Sequence, residues 1–95
     1  MKTIIASLFA IAAVADRVQD CQHASILGAT YGGSDITSKV AHHYNLGNNV
    51  VPATNDWVGH DPLTGHTKTM TIVYERCGNF ATVTAQEGGQ IELPQ

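Results

Sequence analysis

The sequence predicts a mainly β fold: a small antiparallel β-sandwich or open barrel with one short helix beside it and one disulfide. Three observations predict it. Residues 67–76 alternate with period two, placing Lys68, Met70, Ile72 and Tyr74 on one face and Thr67, Thr69, Thr71 and Val73 on the other. Further short β-forming runs recur along the chain, separated by turn pairs rich in glycine, proline and asparagine. Helical spacing shows only at Ile36, Val40 and Tyr44, which fall on one face at i, i+4 and i+8.

In chain order, residues 1–15 read as a signal peptide. Lys2 supplies a positive start, residues 4–14 an apolar run, and Ala13, Val14 and Ala15 a small-x-small cleavage pattern. The run falls short of the about 20 apolar residues that a membrane-crossing helix needs, so no membrane span is expected. Cleavage after Ala15 leaves one small domain over 16–95. Residues 16–23 form a polar arm that carries Cys21, and 24–31 a strand stopped by Gly32 and Gly33. Ser34 or Asp35 is placed to cap a helix over 36–44, because a short side-chain oxygen accepts an orphan amide of the first turn. Leu46 and Gly47 end that helix. Asn48 and Asn49 turn the chain into a short strand at Val50 and Val51, which Pro52 ends or confines to a sheet edge. The pairs Asp61-Pro62 and Thr64-Gly65 mark 55–66 as a loop ahead of the main strand. A tight hairpin at Gly78-Asn79 returns the chain along 81–86, and Gly88 and Gly89 turn it into a last strand over 90–93, ended by Pro94.

A secreted domain of this size is near the limit of what a hydrophobic core alone sustains. Cys21 and Cys77 are the only cysteines, and in an oxidising compartment they are expected to pair. Chain entropy assigns such a long loop roughly 4 kcal/mol before native strain is subtracted. The whole chain has formal charge −3, and −4 once the leader with Lys2 is removed. Four separated cations make no basic stripe, so nucleic acid is not an expected partner. No asparagine is followed by a hydroxyl residue two positions on, so no N-linked sugar is expected.

Four kinds of chemistry deserve weighing against structural roles. His42 or His43 on the helix, with His60 and His66 in the loop, offer nitrogen donors for zinc or copper. Adjacent helical residues, however, point about 100° apart, and exposed histidines are the simpler reading. Asn55, Asp56 and Asp61 are three oxygen donors in one loop, against the six to eight that calcium takes; shaping turns is their more ordinary work. Trp57, flanked by Asn55, Asp56 and His60, suits either a core cap or a surface for a glycan or protein. For catalysis, no serine lies in a Gly-x-Ser-x-Gly elbow, and the pair Asp56 and Asp61 would need a cleft that a body of this size hardly accommodates. No cofactor is implied.

The order Ala29-Thr30-Tyr31-Gly32, Asp35-Ile36-Thr37, then Asn55, Gly59, Asp61-Pro62, Gly65 and Lys68, then Met70-Thr71-Ile72-Val73-Tyr74 and the segment 81–94 resembles a known β-rich domain. That domain ends a mitochondrial J-domain protein of the inner-membrane cristae machinery, and short secreted proteins of fungi and other eukaryotic microbes carry a similar pattern. The resemblance covers most of 16–95 and implies a non-enzymatic interaction module. The chain has no J domain and no His-Pro-Asp triplet, and a secretory leader replaces a mitochondrial address, so a cochaperone role does not carry over.

The expectation is therefore a small secreted binding protein that is not an enzyme and meets an extracellular protein or glycan. Its contact surface is expected at 55–66, through Asn55, Asp56, Trp57, His60, Asp61 and His66. A metal-binding protein built on the histidines is the first alternative, and a small hydrolase the second.

Overall fold

A computed structural model describes residues 23–95. The leader, most of the arm and Cys21 lie outside them. The fold is mainly β, with antiparallel sheets. Its elements are β1 (Ser25–Tyr31), β2 (Ser34–Asp35), α1 (Thr37–Asn45), β3 (Val50–Pro52), the single helical turn α2 (Asn55–Val58), β4 (Thr69–Arg76), β5 (Asn79–Gln86) and β6 (Gln90–Glu92). A four-stranded sheet runs in the order β2-β1-β4-β5, and β3 pairs with β6 in a second sheet of two strands.

The alternation in β4 decides which side of the large sheet is the core. Met70 and Ile72 are fully buried, Thr69 is exposed, and the register sets Ala29, Ile72 and Val83 side by side, as it does Tyr31, Met70 and Ala85. Against this face pack Ile36, Val40 and Tyr44 of the helical segment, Val51 and Ala53 around β3, Val58 of α2, and Ile91 and Leu93 at the C-terminal end. Fully burying an aliphatic side chain stabilises by about 1.5–3 kcal/mol, so these residues are the chief source of stability. The opposite face carries Thr30, Thr71 and Thr84 in one row and Val73 with Thr82 in the next.

Helix α1 starts and stops for local reasons. Ile36 takes the N-cap position, and Asp35, one residue earlier, accepts hydrogen bonds from the Thr37 amide at 3.0 Å and its hydroxyl at 2.6 Å. The expected acceptor is thus present, displaced by one residue. It is displaced because Ser34 and Asp35 are drawn into β2, which pairs back on Thr30 and Tyr31. At the other end Gly47 has φ 102° and donates to the Tyr44 carbonyl at 3.0 Å.

Two further details differ from the sequence reading. The first residues of the 55–66 loop form α2, with the Thr54 hydroxyl accepting the Trp57 amide at 3.1 Å and Gly59 closing the turn at φ 100°. The β4–β5 hairpin turns on Cys77 and Gly78, since Arg76 already pairs with Asn79. Both turn residues have positive φ, 58° and 81°, which is the two-residue type I′ geometry that matches strand twist. No disulfide is found among the described residues, and the expected pairing with Cys21 lies outside them.

Tyr44 joins the two ends of the domain. Its buried hydroxyl accepts the Ala24 amide at 2.9 Å and donates to the Pro94 carbonyl at 2.5 Å, while its ring stacks on His23 at 4.5 Å. Tyr44→Phe keeps the ring but leaves the buried Ala24 amide and the half-buried Pro94 carbonyl without this partner, an expected loss of about 1–3 kcal/mol in urea unfolding. A loss below a few tenths would show that water reaches both groups.

Candidate functional site

Between α2 and β4 the chain makes no regular structure over 59–68, yet it is held from beneath. The holder is Lys68. Alternation places it on the core side of the main strand, in the stripe of Met70 and Ile72, and it is only 3% exposed. Its Nζ lies 2.6 Å from Asp61 Oδ1 and 3.2 Å from Glu87 Oε1, and donates to the carbonyls of His66 at 2.8 Å and Leu63 at 3.2 Å. An ammonium has three N–H donors, and four acceptors at these distances leave none of them unused. Three of the four acceptors, Asp61, Leu63 and His66, belong to the loop itself. The lysine therefore gathers the loop around one charge.

Glu87 connects that charge to the sheet. It faces Lys68 one step beyond the Thr69–Gln86 pair: its amide donates to the Lys68 carbonyl at 2.8 Å, and its Oε1 accepts the Lys68 amide at 3.1 Å. Its other oxygen accepts from Asn55 Nδ2 at 3.4 Å, and Asn55 Oδ1 accepts from the buried Tyr31 hydroxyl at 2.7 Å. A continuous polar chain thus runs from β1 through α2 to the loop. Gly32 makes room for it: a Cβ there would come within 2.7 Å of Lys68 Cγ and 3.1 Å of the Pro62 ring. Its φ of 57° also favours glycine.

The electrostatics follow from these contacts. The hydrogen bond from Lys68 holds the Asp61 carboxyl below its ordinary range, and the same bond raises the ammonium, outweighing the effect of burial. Burial, followed by the charge of Glu87, pushes the Tyr31 hydroxyl up. Lys68 is accordingly a permanent cation at neutral pH. A lysine nucleophile or base needs the opposite shift. Asp61 is likewise shifted away from what the acid partner of a glycosidase pair requires.

The sequence-predicted site residues divide into two groups. Asn55 and Asp61 are tied into the polar chain. Trp57 is half-buried against the core, with His43 meeting it edge-on at 5.1 Å and the Lys39 ammonium 5.3 Å from its ring centre. Asp56, His60 and His66 are exposed, as are Leu63 and Thr64 between them; His60 Nε2 is 3.3 Å from the Ser34 hydroxyl. His66 also lines an open cleft of about 480 Å³ with Asp61, Gly65, Thr67, Lys68, Glu87 and Gly88.

On the helix, His42 is exposed, whereas His43 Nε2 donates to the Val50 carbonyl at 2.7 Å. Among the described residues no three His, Cys, Asp or Glu side chains come together as a metal-binding group, so the histidines of helix and loop do not form one. No described helix is long and apolar enough to cross a membrane. The central residues missed in the sequence are Lys68 and Glu87. The signal for Lys68 was available, since the alternation that buries Met70 and Ile72 also turns the lysine inward. No protein family, curated protein or solved structure matches the chain.

Stability should follow pH with a sign that these shifts fix. A carboxyl whose pKa is lowered in the fold contributes stability above its unfolded value, lost as pH falls; Asp61 does so, and Asp35 with it through its bonds from Thr37. A raised pKa contributes below the unfolded value and is lost as pH rises, as for Lys68 and Tyr31. Thermal midpoints should therefore fall below about pH 4 and again above about pH 10. Asp61→Asn should flatten the acid limb; an unchanged limb would remove Asp61 from the account.

Proposed function

We propose that the protein is a small non-enzymatic binding module, exported by its leader and active outside the cell, with the 55–66 segment as its contact surface for a protein or glycan. The observation that carries this reading is the state of the loop. An irregular segment is normally free to move, and ordering it on binding costs affinity. Here a buried ammonium fixes its backbone in advance while Asp56, His60, Leu63, Thr64 and His66 stay exposed, Leu63 by 46%. Core packing alone does not call for a lysine with two carboxylate partners; a rigid irregular surface does. The resemblance to a β-rich interaction domain agrees with this reading.

The finer features of the proposal are a sandwich-like arrangement of the two sheets and a Cys21–Cys77 disulfide closing it. The strand register supports the disulfide. Ser25 pairs with Glu75 at the start of β1, so the chain enters the fold beside the hairpin tip that carries Cys77. Non-reducing peptide mapping of exported protein should recover a linked Cys21–Cys77 peptide. Alkylation of both thiols without prior reduction would eliminate the cross-link.

Binding tests the surface itself. In titrations against a glycan array and a cell-surface protein extract, a partner found with the intact protein should bind Leu63→Ala/His60→Ala at least about ten-fold more weakly, with unchanged circular dichroism. Lys68→Met touches no partner, yet should weaken binding as well, accompanied by faster amide exchange over 60–67. Full affinity in both variants would place the contact surface elsewhere.

A further inference from the structure

We propose that the outer edge of β5 is a self-association surface, on which a second copy of this chain pairs strand to strand. Four strands end a sheet among the described residues, and all but one of them are blunted. β2 is two residues long and carries Asp35; β3 and β6 are three residues each, with Pro52 in one and Glu92 in the other. Short length, charge and proline are the usual means by which an edge avoids pairing. β5 has none of them. It runs eight residues, Asn79–Gln86, with no charged residue, no proline and no glycine, and its pairing with β4 continues without a bulge from Arg76–Asn79 to Thr69–Gln86. Among the described residues no strand pairs with its other side.

The strand is compatible with its own copy. About a two-fold axis through the sheet, antiparallel pairing keeps each side chain on its face when residues of like parity meet. Pairing centred on Thr82 or on Val83 meets that condition over nearly the whole strand. Thr82 then lies opposite Thr82 or Thr84 of the other copy, and on the core side Ala81 meets Val83 in the first register, while Val83 meets Val83 and Ala81 meets Ala85 in the second. No like charges meet in either register, although the chain as a whole is negative, because β5 itself is neutral. Phe80, 74% exposed and the most exposed large apolar side chain among the described residues, sits at the end of this edge and is set against Thr84 or Gln86 of the second copy. The product is one continuous sheet in the order β2-β1-β4-β5-β5-β4-β1-β2, with a single threonine-rich face across both copies. A strand-to-strand contact of this kind is small, which makes the dimer a weak one that forms with rising concentration.

The experiment is sedimentation velocity from about 10 μM to about 1 mM, a range that captures dimers of millimolar affinity. Thr82 and Thr84 are both exposed, so charges placed there leave the core intact. The double variants Thr82→Lys/Thr84→Lys and Thr82→Glu/Thr84→Glu set like charges opposite each other in either register, and each alone should raise the dimer Kd about ten-fold or more. An equimolar mixture of the two should restore the dimer to wild-type affinity or better. A wild-type chain that stays monomeric to about 1 mM overturns the proposal, whether or not its edge accepts an unrelated extended peptide. So does dimerisation undiminished in both double variants, or a mixture that fails to recover it.

Discussion

The structure depends on one buried ammonium. Taking a lysine charge out of water costs several kcal/mol, and the cost is offset only when the charge is paired and its hydrogens are used. Lys68 meets both conditions with Asp61 and Glu87 as counterions and the Leu63 and His66 carbonyls as further acceptors. Because the partners come from the loop and from the end of β5, satisfying the charge and ordering the loop are the same event. An apolar side chain at this position would pack well against Met70 and Ile72. It would leave the loop carbonyls to water and the loop without a fixed shape.

The polar chain and the apolar core divide the work. Tyr31, Met70, Ile72, Val40 and Val51, all fully buried, hold the sheet, the helix and the small second sheet together. Tyr31 belongs to both systems: its ring is in the core, and its hydroxyl starts the sequence of bonds through Asn55 and Glu87 to Lys68. Loosening of the core at β1 would therefore reach the loop through bonds at identified atoms. Tyr44 plays a comparable part at the opposite end, joining Ala24 to Pro94. The two tyrosines mark the places where the chain is closed by hydrogen bonds as well as by burial.

Much of the fold was legible because strand alternation and turn chemistry are local. Period two over 67–76 marked β4 and set Lys68 on one face with Met70 and Ile72; burial in the fold decided that this face is the inward one. Helical spacing at Ile36, Val40 and Tyr44 marked α1 within one residue at each end. The misses share a cause. Ser34 and Asp35 looked like N-caps; pairing with Thr30 and Tyr31, a tertiary event, draws both into a strand and moves the cap position to Ile36, although Asp35 still accepts the Thr37 amide. Asn55, Asp56 and Trp57 looked like open loop and form a helical turn that Thr54 caps and the core receives. The hairpin was placed at Gly78-Asn79, but the register seats Cys77 in the left-handed position, a conformation rarely expected of a residue with a side chain.

The candidate site was legible as a segment and not as an arrangement. Sequence by itself determined that turn-formers, one tryptophan and several polar side chains crowd 55–66, because residue identity and short spacing suffice for that. Only the tertiary structure decided which of them are held and which are presented. Asn55 and Asp61 are claimed by Glu87 and Lys68, Trp57 by the core, and Asp56, His60, Leu63 and His66 are left to solvent. The deciding contact joins residues on either side of a hairpin, Lys68 and Glu87, and local spacing carries no record of it. It comes into being only when antiparallel pairing of β4 and β5 brings the two strand ends together.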